Sequence, residues 1–271
     1  MISNPDIFNK QVITQHLQTK WAGQEVVFFP ETGSTNEEAR LLAGQGAVHG
    51  TLVVADSQTV GKGRRGRSWH TSKSTSIAMS LILKPKLEAE YASMLTLLQA
   101  MAVADAVEEI CGLKARIKWP NDILVNEKKV CGILTELNLE KTEISSIIIG
   151  TGINVNQDSF PEEIASIATS LKMETKESQS RAKLIGRINE HFEGYFEQFM
   201  ETKDLSGIVD LYNAYLISKG RQVKVLDPKG EFAGEALGIN GLGELLVRKS
   251  DGKVVNIYAG EVSVRGIYGY V

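Results

Sequence analysis

The amino-acid sequence predicts an α+β protein, with helices packed on a mixed β-sheet and a small antiparallel β-barrel at the C-terminal end. Two observations lead to this fold class. Before residue 218, β-branched apolar runs alternate with segments of helical period. After residue 222 the helical period gives way to short alternating strands separated by glycine-containing turns. We therefore expect two domains, residues 1–218 and 219–271, the second near the lower size limit for a domain.

The first domain should begin with a helix, a strand and a second helix. Four apolar residues at roughly helical spacing precede the first strand at residues 26–29, so one helix should pack there on the sheet. These residues are Phe8, Val12, Ile13 and Leu17. Ser34 and Glu37 fit a capping box, which predicts a helix from residue 34 to about Gly44.

The rest of the first domain combines further strands with two long helices. A helix over residues 90–110 should end at Gly112, because glycine readily adopts the left-handed conformation that ends helices. A second long helix over residues 181–201 precedes a shorter one over 205–216, and the segment 157–177 is polar and irregular. The predicted strands lie at residues 51–56, 75–83, 115–118, 122–125, 130–139 and 145–155.

Short strands and tight turns predict the C-terminal barrel. Asn240-Gly241 and Asp251-Gly252 are dipeptides typical of hairpin turns, and a third turn lies at residues 228–230. The predicted strands lie at residues 223–226, 231–237, 245–248, 254–258 and 261–265.

Composition and charge exclude several classes of protein. The chain has 271 residues, 42% of them hydrophobic and 23% charged, so it can bury a sizeable core without disulfides. A net charge of −3 differs from the overall positive charge of typical nucleic-acid binders. The sequence lacks a signal-peptide pattern and a run of about 20 apolar residues, and Cys111 and Cys131 are expected to be separate buried thiols. We therefore expect a cytoplasmic protein.

Residues 61–67 read Gly-Lys-Gly-Arg-Arg-Gly-Arg, with four cations, three glycines and no apolar side chain. Glycine exposes backbone N–H groups and arginine offers planar charged donors, so this composition suits a phosphate or a phosphate ester. A P-loop is excluded because Lys62 is followed by Gly63 rather than serine or threonine. The spacing of a dinucleotide-binding loop is met, but no apolar helix follows it. The alternative is a solvated surface turn.

A second polar segment, Lys118-Trp119-Pro120-Asn121-Asp122, follows a short apolar strand. A partly desolvated ammonium at Lys118 is costly unless it has an anionic partner. Asn121 and Asp122 offer oxygens to a hydrated Mg²⁺ or to a ribose. Alternatively, the lysine reaches water and the Asn-Asp pair is an ordinary turn.

Three further features have both a structural and a ligand-binding interpretation. Gly150 and Gly152 lie inside a predicted strand, which indicates either the close approach of a ligand or a β-bulge. Residues 34–36, Ser-Thr-Asn, are either ligand contacts or a plain helix cap. Gln58, at the end of the strand before the basic loop, would by default face solvent.

The order of these segments closely resembles the biotin protein ligase family, over about residues 26–265. The motifs are Gly-Ser-Thr-Asn-Glu from residue 33, Gln-x-x-Gly-Lys-Gly-Arg-Arg-Gly-Arg-x-Trp from 58, Lys-Trp-Pro-Asn-Asp from 118, Val-x-Gly-Ile-Leu-x-Glu from 130, Gly-x-Gly-Ile-Asn-Val-Asn from 150 and Gly-Glu-Val-Ser-Val-Arg from 260. The resemblance implies a catalytic domain similar to class II synthetases and a C-terminal barrel of the SH3-like type.

The resemblance also implies a two-step reaction. Biotin and MgATP give biotinyl-5′-AMP and pyrophosphate, and a lysine of a biotin carboxyl carrier or carboxylase biotinyl domain then displaces AMP. Cations that neutralise the carboxylate and the α-phosphate would be the main catalytic resource. No covalent enzyme intermediate is implied, in agreement with a sequence that shows no pairing of a nucleophile with a base.

The roles of individual residues are carried over by motif position. Lys118 and Arg64 are the implied catalytic residues, and Lys118 should bridge the biotin carboxylate and the α-phosphate. The implied biotin-binding residues are Ser34, Thr35, Asn36, Gln58, Lys62, Gly63, Arg64, Lys118, Gly132, Gly150 and Gly152. The implied ATP- or adenylate-binding residues are Arg64, Arg65, Arg67, Trp69, Lys118, Asn121 and Asn154.

Some positions carry less of the family pattern. Lys62 stands where some relatives have arginine. Lysine retains the positive charge but lacks the planar pair of donors of the guanidinium. Residues 157–170 match the family only in position and polarity, so no adenine contact is assigned there. No metal ligand is assigned either, since Mg²⁺ should arrive with the ATP phosphates and Asp122 is the one candidate to contact it.

Other functions would use the same fold. A lipoate or octanoate ligase shares the fold family, but the complete basic loop and the C-terminal barrel favour biotin. A biotin-dependent transcriptional regulator would need a winged-helix module, and only about 25 residues precede the first strand, fewer than an independent domain requires. We expect a ligase that binds no specific DNA and no membrane. A degenerate adenylate-binding module is a third alternative, and homodimer formation is left open.

Overall fold

A seven-stranded mixed sheet and a five-stranded antiparallel sheet organise the chain. The computed structural model describes residues 6–141, 143–227, 230–259 and 263–266. The helices are α1 (Lys10–Gln15), α2 (Thr35–Gly44), α3 (Ala92–Cys111), α4 (Glu162–Ala165), α5 (Leu171–Thr175), α6 (Arg181–Thr202) and α7 (Val209–Tyr215). The strands are β1 (Val26–Phe29), β2 (Leu52–Ala55), β3 (Ser76–Leu83), β4 (Ala115–Lys118), β5 (Asp122–Val125), β6 (Lys128–Glu140), β7 (Glu143–Asn154), β8 (Gln222–Leu226), β9 (Phe232–Ile239), β10 (Leu245–Arg248), β11 (Val254–Ile257) and β12 (Ser263–Gly266).

The large sheet has the strand order β1-β2-β3-β7-β6-β5-β4. Its first pair, β1 and β2, is parallel, and the remaining pairs are antiparallel. In the long β6–β7 hairpin Gly132 lies opposite Gly152, and Leu134 lies opposite Gly150. The middle of the hairpin therefore carries three positions without a side chain, Gly132, Gly150 and Gly152.

The two faces of the large sheet are covered unequally. Val53, Ile82 and Ile148 point to one face, where α2 packs on them through Ala39 and Ala43. The opposite face contributes to the main core together with α3 and α6. Most of α3 is buried, with apolar residues around the whole helix, because the helix lies between the sheet and α6.

The C-terminal sheet has the order β11-β10-β9-β8-β12 and is antiparallel throughout. Its apolar residues join the same core cluster as the large sheet. Two hydrogen bonds connect it with the β4–β5 region: Trp119 Nε1 donates to Gly243 O at 3.1 Å, in the turn between β9 and β10, and Ile217 N, in the segment that leads to β8, donates to Ile117 O at 3.0 Å. The C-terminal sheet therefore lies beside the edge of the large sheet.

The fold class predicted from the sequence is confirmed, and most predicted elements lie within two residues of the observed ones. Gly112 ends α3 in the left-handed conformation, as predicted. The predicted N-terminal helix is the short α1, which buries Ile13 and packs on α6. The predicted turn at 228–230 and strand at 261–265 fall partly outside the described residues. The domain boundary near residue 218 stays a prediction.

Three expectations need correction. Ser34 is the N-cap of α2, but its side chain makes no capping hydrogen bond, and the Glu37 carboxylate that would complete a capping box pairs instead with Lys62 and Arg40. The pairing of β6 with β7 is regular through residues 150–152, so the β-bulge alternative is wrong there. The segment 157–177 contains the two short helices α4 and α5 rather than being irregular throughout.

Two smaller findings complete the fold. Cys111 and Cys131 are both free thiols, and burial raises the pKa of Cys111 to about 11. None of the helices in the described ranges combines the length and the apolar character that a bilayer crossing requires.

Candidate active site

A cavity of about 290 Å³ opens beside the glycine-rich middle of the β6–β7 hairpin. The start of α2, the loop 57–75 between β2 and β3, the β4–β5 turn and the last described strand, β12, form its walls. Among the described residues that line it, seven are cationic and one, Asp122, is a carboxylate. The cations are Lys62, Arg64, Arg65, Arg67, Lys118, Lys129 and Arg265. The cavity is therefore built for a ligand with several negative charges.

Nearly all of the site residues proposed from the sequence meet in this cavity. They are Ser34, Thr35, Asn36, Gln58, Lys62, Gly63, Arg64, Arg65, Arg67, Trp69, Lys118, Asn121, Asp122, Gly132, Gly150 and Gly152. Asn154 is the exception. Its side chain is buried below the cavity, where Nδ2 donates to Thr169 O at 3.2 Å and Oδ1 accepts from Gln157 Nε2 at 3.3 Å.

The basic loop folds back on itself as a narrow hairpin. Trp69 N donates to Gly61 O at 2.8 Å, and Gly63 N donates to Arg67 O at 2.7 Å. The tip is one 3₁₀ turn in which Arg65 has a φ of 60°, a left-handed conformation that is uncommon for a residue with a side chain. This hairpin brings the cationic side chains of one short segment to the wall of the same cavity, and the loop is exposed on its other side.

Arg64 connects the loop tip with both domains. Its Nη1 donates to Asn121 Oδ1 at 2.9 Å, and its Nη2 donates to Ala259 O at 3.3 Å in the C-terminal part of the chain. Burial lowers the pKa of Arg64, with Asp122 opposing this effect and the neighbouring Arg65 adding to it. The guanidinium is thus held in a partly desolvated position where an anionic ligand would compensate its charge.

Lys118 ends β4 at the floor of the cavity. Burial lowers its pKa from 10.5 to about 8. Asp122 opposes this shift, whereas the cationic side chains Lys129, Arg265 and Arg67 contribute to it. Lys118 is half-buried, so its ammonium is only partly hydrated. An anion bound in the cavity would add to the effect of Asp122 and stabilise the charged form of Lys118.

A buried polar network forms the other end of the cavity. Gln58 Oε1 accepts from Thr35 N at 2.7 Å and from Thr35 Oγ1 at 3.0 Å. Ser80 Oγ donates to Asn36 Oδ1 at 2.6 Å, and Asn36 Nδ2 donates to Glu136 Oε2 at 2.5 Å. The contacts orient the amides of Gln58 and Asn36, so this end presents fixed polar groups rather than mobile side chains. Gln58 does not simply face solvent.

The glycines of the hairpin make room for two protein side chains. A Cβ on Gly152 would overlap the indole of Trp69, and a Cβ on Gly132 would lie 3.1 Å from the same ring. A Cβ on Gly150 would overlap the amide of Asn36. Trp69 Nε1 is buried against Gly152 and makes no hydrogen bond with the described residues.

Lys62 lies on the rim and has a partner outside the cavity. Its ammonium is 2.5 Å from Glu37 Oε1 on α2, and the pair lowers the pKa of Glu37. Both side chains are largely exposed, so this contact adds little to stability. It joins the loop to the start of α2 and thus closes one side of the cavity.

The sequence did not single out four side chains that take part in the site. Lys129 lies 5.4 Å from the centre of the Trp69 ring, and Arg265 reaches the cavity from the C-terminal sheet. Ser80 and Glu136 belong to the polar network. Arg265 and Glu136 do stand at the ends of two motifs that carry the family resemblance, which is a signal that could have found them.

The donor set does not fit a protein-held metal ion. Within the described ranges no three acidic, histidine or cysteine side chains are grouped as a metal would need. Asp122, the candidate ligand for Mg²⁺, has one oxygen 2.7 Å from Lys129 Nζ. A divalent ion in this cavity would have to be held mainly by its own anionic ligand.

Two parts of the chain match known protein families. Residues 29–154 match the biotin/lipoate A/B protein ligase family, and residues 220–265 match the biotin protein ligase C-terminal domain. The first match contains almost all of the cavity, and the second contains the C-terminal sheet that contributes Arg265.

Curated relatives cover nearly the whole chain. The bifunctional ligase/repressor BirA of Bacillus subtilis is 40% identical over 266 residues, which are 97% of this chain and 81% of the relative. The biotin–[acetyl-CoA-carboxylase] ligase of Mycobacterium tuberculosis is 29% identical over 89% of each chain. Among solved structures, the biotin protein ligase of Aquifex aeolicus in complex with biotin and ATP has a TM-score of 0.79 and 32% identity, covering 90% of this chain and 99% of its own.

Proposed function

The chain belongs to the biotin protein ligase family, and we propose that it is an ATP-dependent ligase that attaches biotin to a lysine of a biotin carboxyl carrier or carboxylase biotinyl domain. The observation that carries this proposal is the cavity itself. Cationic side chains of the basic loop, of β4 and β6 and of the C-terminal sheet line it, and a network of polar groups bonded to one another lies at the start of α2. A ligand with an uncharged polar head and an anionic tail matches this division.

In the first step, an oxygen of the biotin carboxylate attacks the α-phosphorus of ATP, and pyrophosphate leaves. Two anions must approach each other, and in water their repulsion opposes the reaction. Lys118, at the floor of the cavity, and Arg64, at the loop tip, would neutralise both groups, and both side chains line the cavity. Both cations are partly desolvated in the free protein. Their electrostatic interaction with an anionic ligand is therefore stronger than that of exposed cations.

In the second step, the ε-amino group of the acceptor lysine attacks the carbonyl carbon of the biotinyl-5′-AMP. An amide bond forms, the bond from carbon to the phosphate oxygen breaks, AMP leaves and the amine gives up a proton. The protein does not form a covalent bond with the substrate. Its part is to retain the anhydride and to limit its contact with water, and the basic loop over the cavity is suited to that task.

We place the ring system of biotin at the polar end of the cavity. Ser34, Thr35, Asn36 and Gln58 would supply hydrogen bonds to its ureido group. Internal contacts already fix the Asn36 and Gln58 amides, so little side-chain entropy is lost when a ligand binds. Such a site rejects analogues without matching polar groups, because they would leave its own groups unpaired.

We place the nucleotide at the cationic end, between the loop and the β4–β5 turn. Arg65, Arg67 and Asn121 line this end, and Trp69 would pack near the adenine. Asn154 lies outside the cavity and would act on the nucleotide side through the segment 157–170, which it contacts at Thr169. Lys62 and Gly63 would contact the ligand from the loop, with the Lys62–Glu37 pair as a competing interaction.

Mg²⁺ would enter as part of the substrate MgATP. The cationic lining and the Asp122–Lys129 pair argue against a resident metal ion, and the phosphates would be its main ligands. Since ATP is made and used in the cytoplasm, we also propose that the reaction takes place there. Specific DNA binding is not part of the proposed function.

A homodimer is proposed on a separate feature. Residues 135–140 of β6 pair with β7 along one edge, and no strand in the described part of the chain pairs with the other edge. Leu137 and Leu139 are exposed on this segment. An open strand edge with exposed leucines is a common site for pairing with another chain, and a second copy could extend the sheet there.

Pyrophosphate–ATP exchange tests the first step. Purified protein with MgATP and labelled pyrophosphate should show exchange when biotin is added and little exchange when lipoate or octanoate is added. Transfer of biotin to a carrier domain, followed by mass spectrometry, tests the second step. Exchange with lipoate alone would assign the protein to lipoate chemistry, and binding of adenylate without exchange would reduce it to a binding module.

A further inference from the structure

A buried cluster of three charged side chains lies under the two ends of the loop 57–75, away from the cavity. Its centre is Arg181, the first residue of α6, whose side chain is 2% exposed. Arg181 Nε lies 2.5 Å from Asp6 Oδ2, and Arg181 Nη1 lies 2.5 Å from Asp56 Oδ1. The Arg181 guanidinium is expected to keep these positions, because separating a buried charge from its partners is strongly unfavourable.

Asp56 and Arg181 together join the start and the end of the loop. Asp56 directly follows β2, where the loop begins. Its second oxygen, Oδ2, accepts from Ser74 Oγ at 3.3 Å near the end of the loop. Arg181 Nη1 also donates to the carbonyl oxygen of Ser76, the first residue of β3, at 3.2 Å. These contacts close the base of the loop with polar bonds from outside the sheet.

The same cluster reaches two further segments. Asp6 Oδ2 accepts from Asn156 Nδ2 at 3.3 Å, and Asn156 N donates to Thr75 O at 2.7 Å. The Arg181 guanidinium lies 3.9 Å from the centre of the Phe8 ring. The N-terminal segment, the end of the loop and the chain that leaves β7 toward residues 157–170 therefore meet at one point.

We propose that Arg181 and Asp56 are positioning residues that hold the basic loop in its closed arrangement over the cavity. This inference rests on the proposed function, because it concerns how loop residues meet the ligand. The loop carries Gln58 near its beginning and Arg64 at its tip, and both side chains line the cavity. The orientation of the two loop ends therefore sets the position of both side chains in the cavity. Because its two ends are anchored, the loop is partly ordered before a ligand binds. Ligand binding therefore costs less conformational entropy.

Asp56→Asn is the variant that tests this role. It keeps the size of the side chain and leaves Arg181 paired with Asp6, so a neutral buried pair remains. Glu193→Gln on the same helix, α6, is the matched control. Glu193 is 7% exposed, and its carboxylate accepts from the backbone N–H groups of Lys20, Trp21 and Ala22 at 2.8, 2.8 and 2.9 Å, away from the loop.

Both variants and the wild type are compared in pyrophosphate–ATP exchange at a temperature where denaturation curves show each to be folded. Asp56→Asn is expected to raise the KM values for biotin and ATP by roughly tenfold, the size of one lost charged hydrogen bond, with a smaller change in kcat. With saturating biotin and ATP, trypsin should cleave its loop at Arg64 and Arg65 several times faster than in the wild type. Glu193→Gln should match the wild type in both measurements.

Equal KM values and equal loop cleavage in Asp56→Asn and the wild type would overturn the inference. So would an effect of the same size in Glu193→Gln, since it would reflect general loss of stability. A wild-type protein without biotin-dependent exchange would instead refute the proposed function, and the proteolysis arm would then be repeated with any nucleotide that does bind.

Discussion

Replacing Lys118 with methionine should make the protein more stable and almost inactive. The methionine side chain has nearly the same length as lysine but carries no charge, so its burial involves no desolvation cost of an ammonium. The fall in the pKa of Lys118 from 10.5 to about 8 corresponds to roughly 3 kcal/mol at neutral pH. Because the ammonium is only partly buried, solvent screening should reduce the measured gain to about 1–2 kcal/mol.

The pH dependence of this gain follows from the sign of the pKa shift. Below pH 8 Lys118 is protonated in both the folded and the unfolded protein, and the folded state carries the full cost of the buried charge. Between pH 8 and about 10.5 the folded protein loses the proton first, so wild-type stability rises relative to the variant. The advantage of Lys118→Met should therefore be complete at pH 7 and should disappear as the pH rises through this interval.

Denaturant unfolding at pH 7 and at pH 10, combined with pyrophosphate–ATP exchange, measures both effects. Exchange should fall by about 100-fold or more, as for other groups that stabilise developing charge. Lys62→Met serves as a control for stability, because the salt bridge with Glu37 raises the pKa of Lys62 and outweighs the lowering by burial. A Lys118→Met protein less stable than the wild type at pH 7, or one with normal exchange, would refute the reasoning.

Four further outcomes are expected. At pH values above 8, the Kd for biotin should increase by up to about tenfold per pH unit, because Lys118 loses its proton there. Calorimetric titration from pH 6.5 to 9.5 measures this, and a Kd that does not change with pH would contradict it. Gly152→Ala should lower the affinity for ATP, because its methyl group would displace the indole above it; unchanged nucleotide binding would contradict this. Asn36→Asp should weaken biotin binding much more than ATP binding, since it places a second carboxylate beside Glu136, and equal losses would count against the assignment. Bound biotin and ATP should protect Arg64 and Arg65 from trypsin, and equal cleavage with and without ligand would show that the loop does not close.

The strands, the long helices and the chemistry of the cavity could be predicted because they depend on local patterns. Runs of apolar residues located β3 and β7, helical spacing located α3, and the density of cations singled out residues 61–67. The predicted capping box is not formed, and a tertiary contact accounts for one half of it. Lys62 approaches Glu37 from a loop 25 positions away and, together with Arg40, pairs with the carboxylate that would have accepted from the Ser34 N–H.

Contacts between distant segments could not be predicted in the same way. The sequence assigned Trp69 to the nucleotide and Gly132 and Gly152 to the biotin ring, as separate contacts. The structure places the indole directly on both glycines, so the three residues form one part of the cavity. The cluster around Arg181 gave no sequence signal, because its partners Asp6 and Asp56 lie 175 and 125 positions away.

The sequence by itself determined the fold class, the basic loop and more than half of the described residues that line the cavity. These features follow from residue type, spacing and order, which a linear chain displays directly. Tertiary structure decided which groups are desolvated, which amides are held and which cation reaches the site from the C-terminal sheet. It lowered the pKa of Lys118 and tied the base of the loop to α6. Such properties depend on what surrounds a side chain in space, and only the packed chain creates that environment.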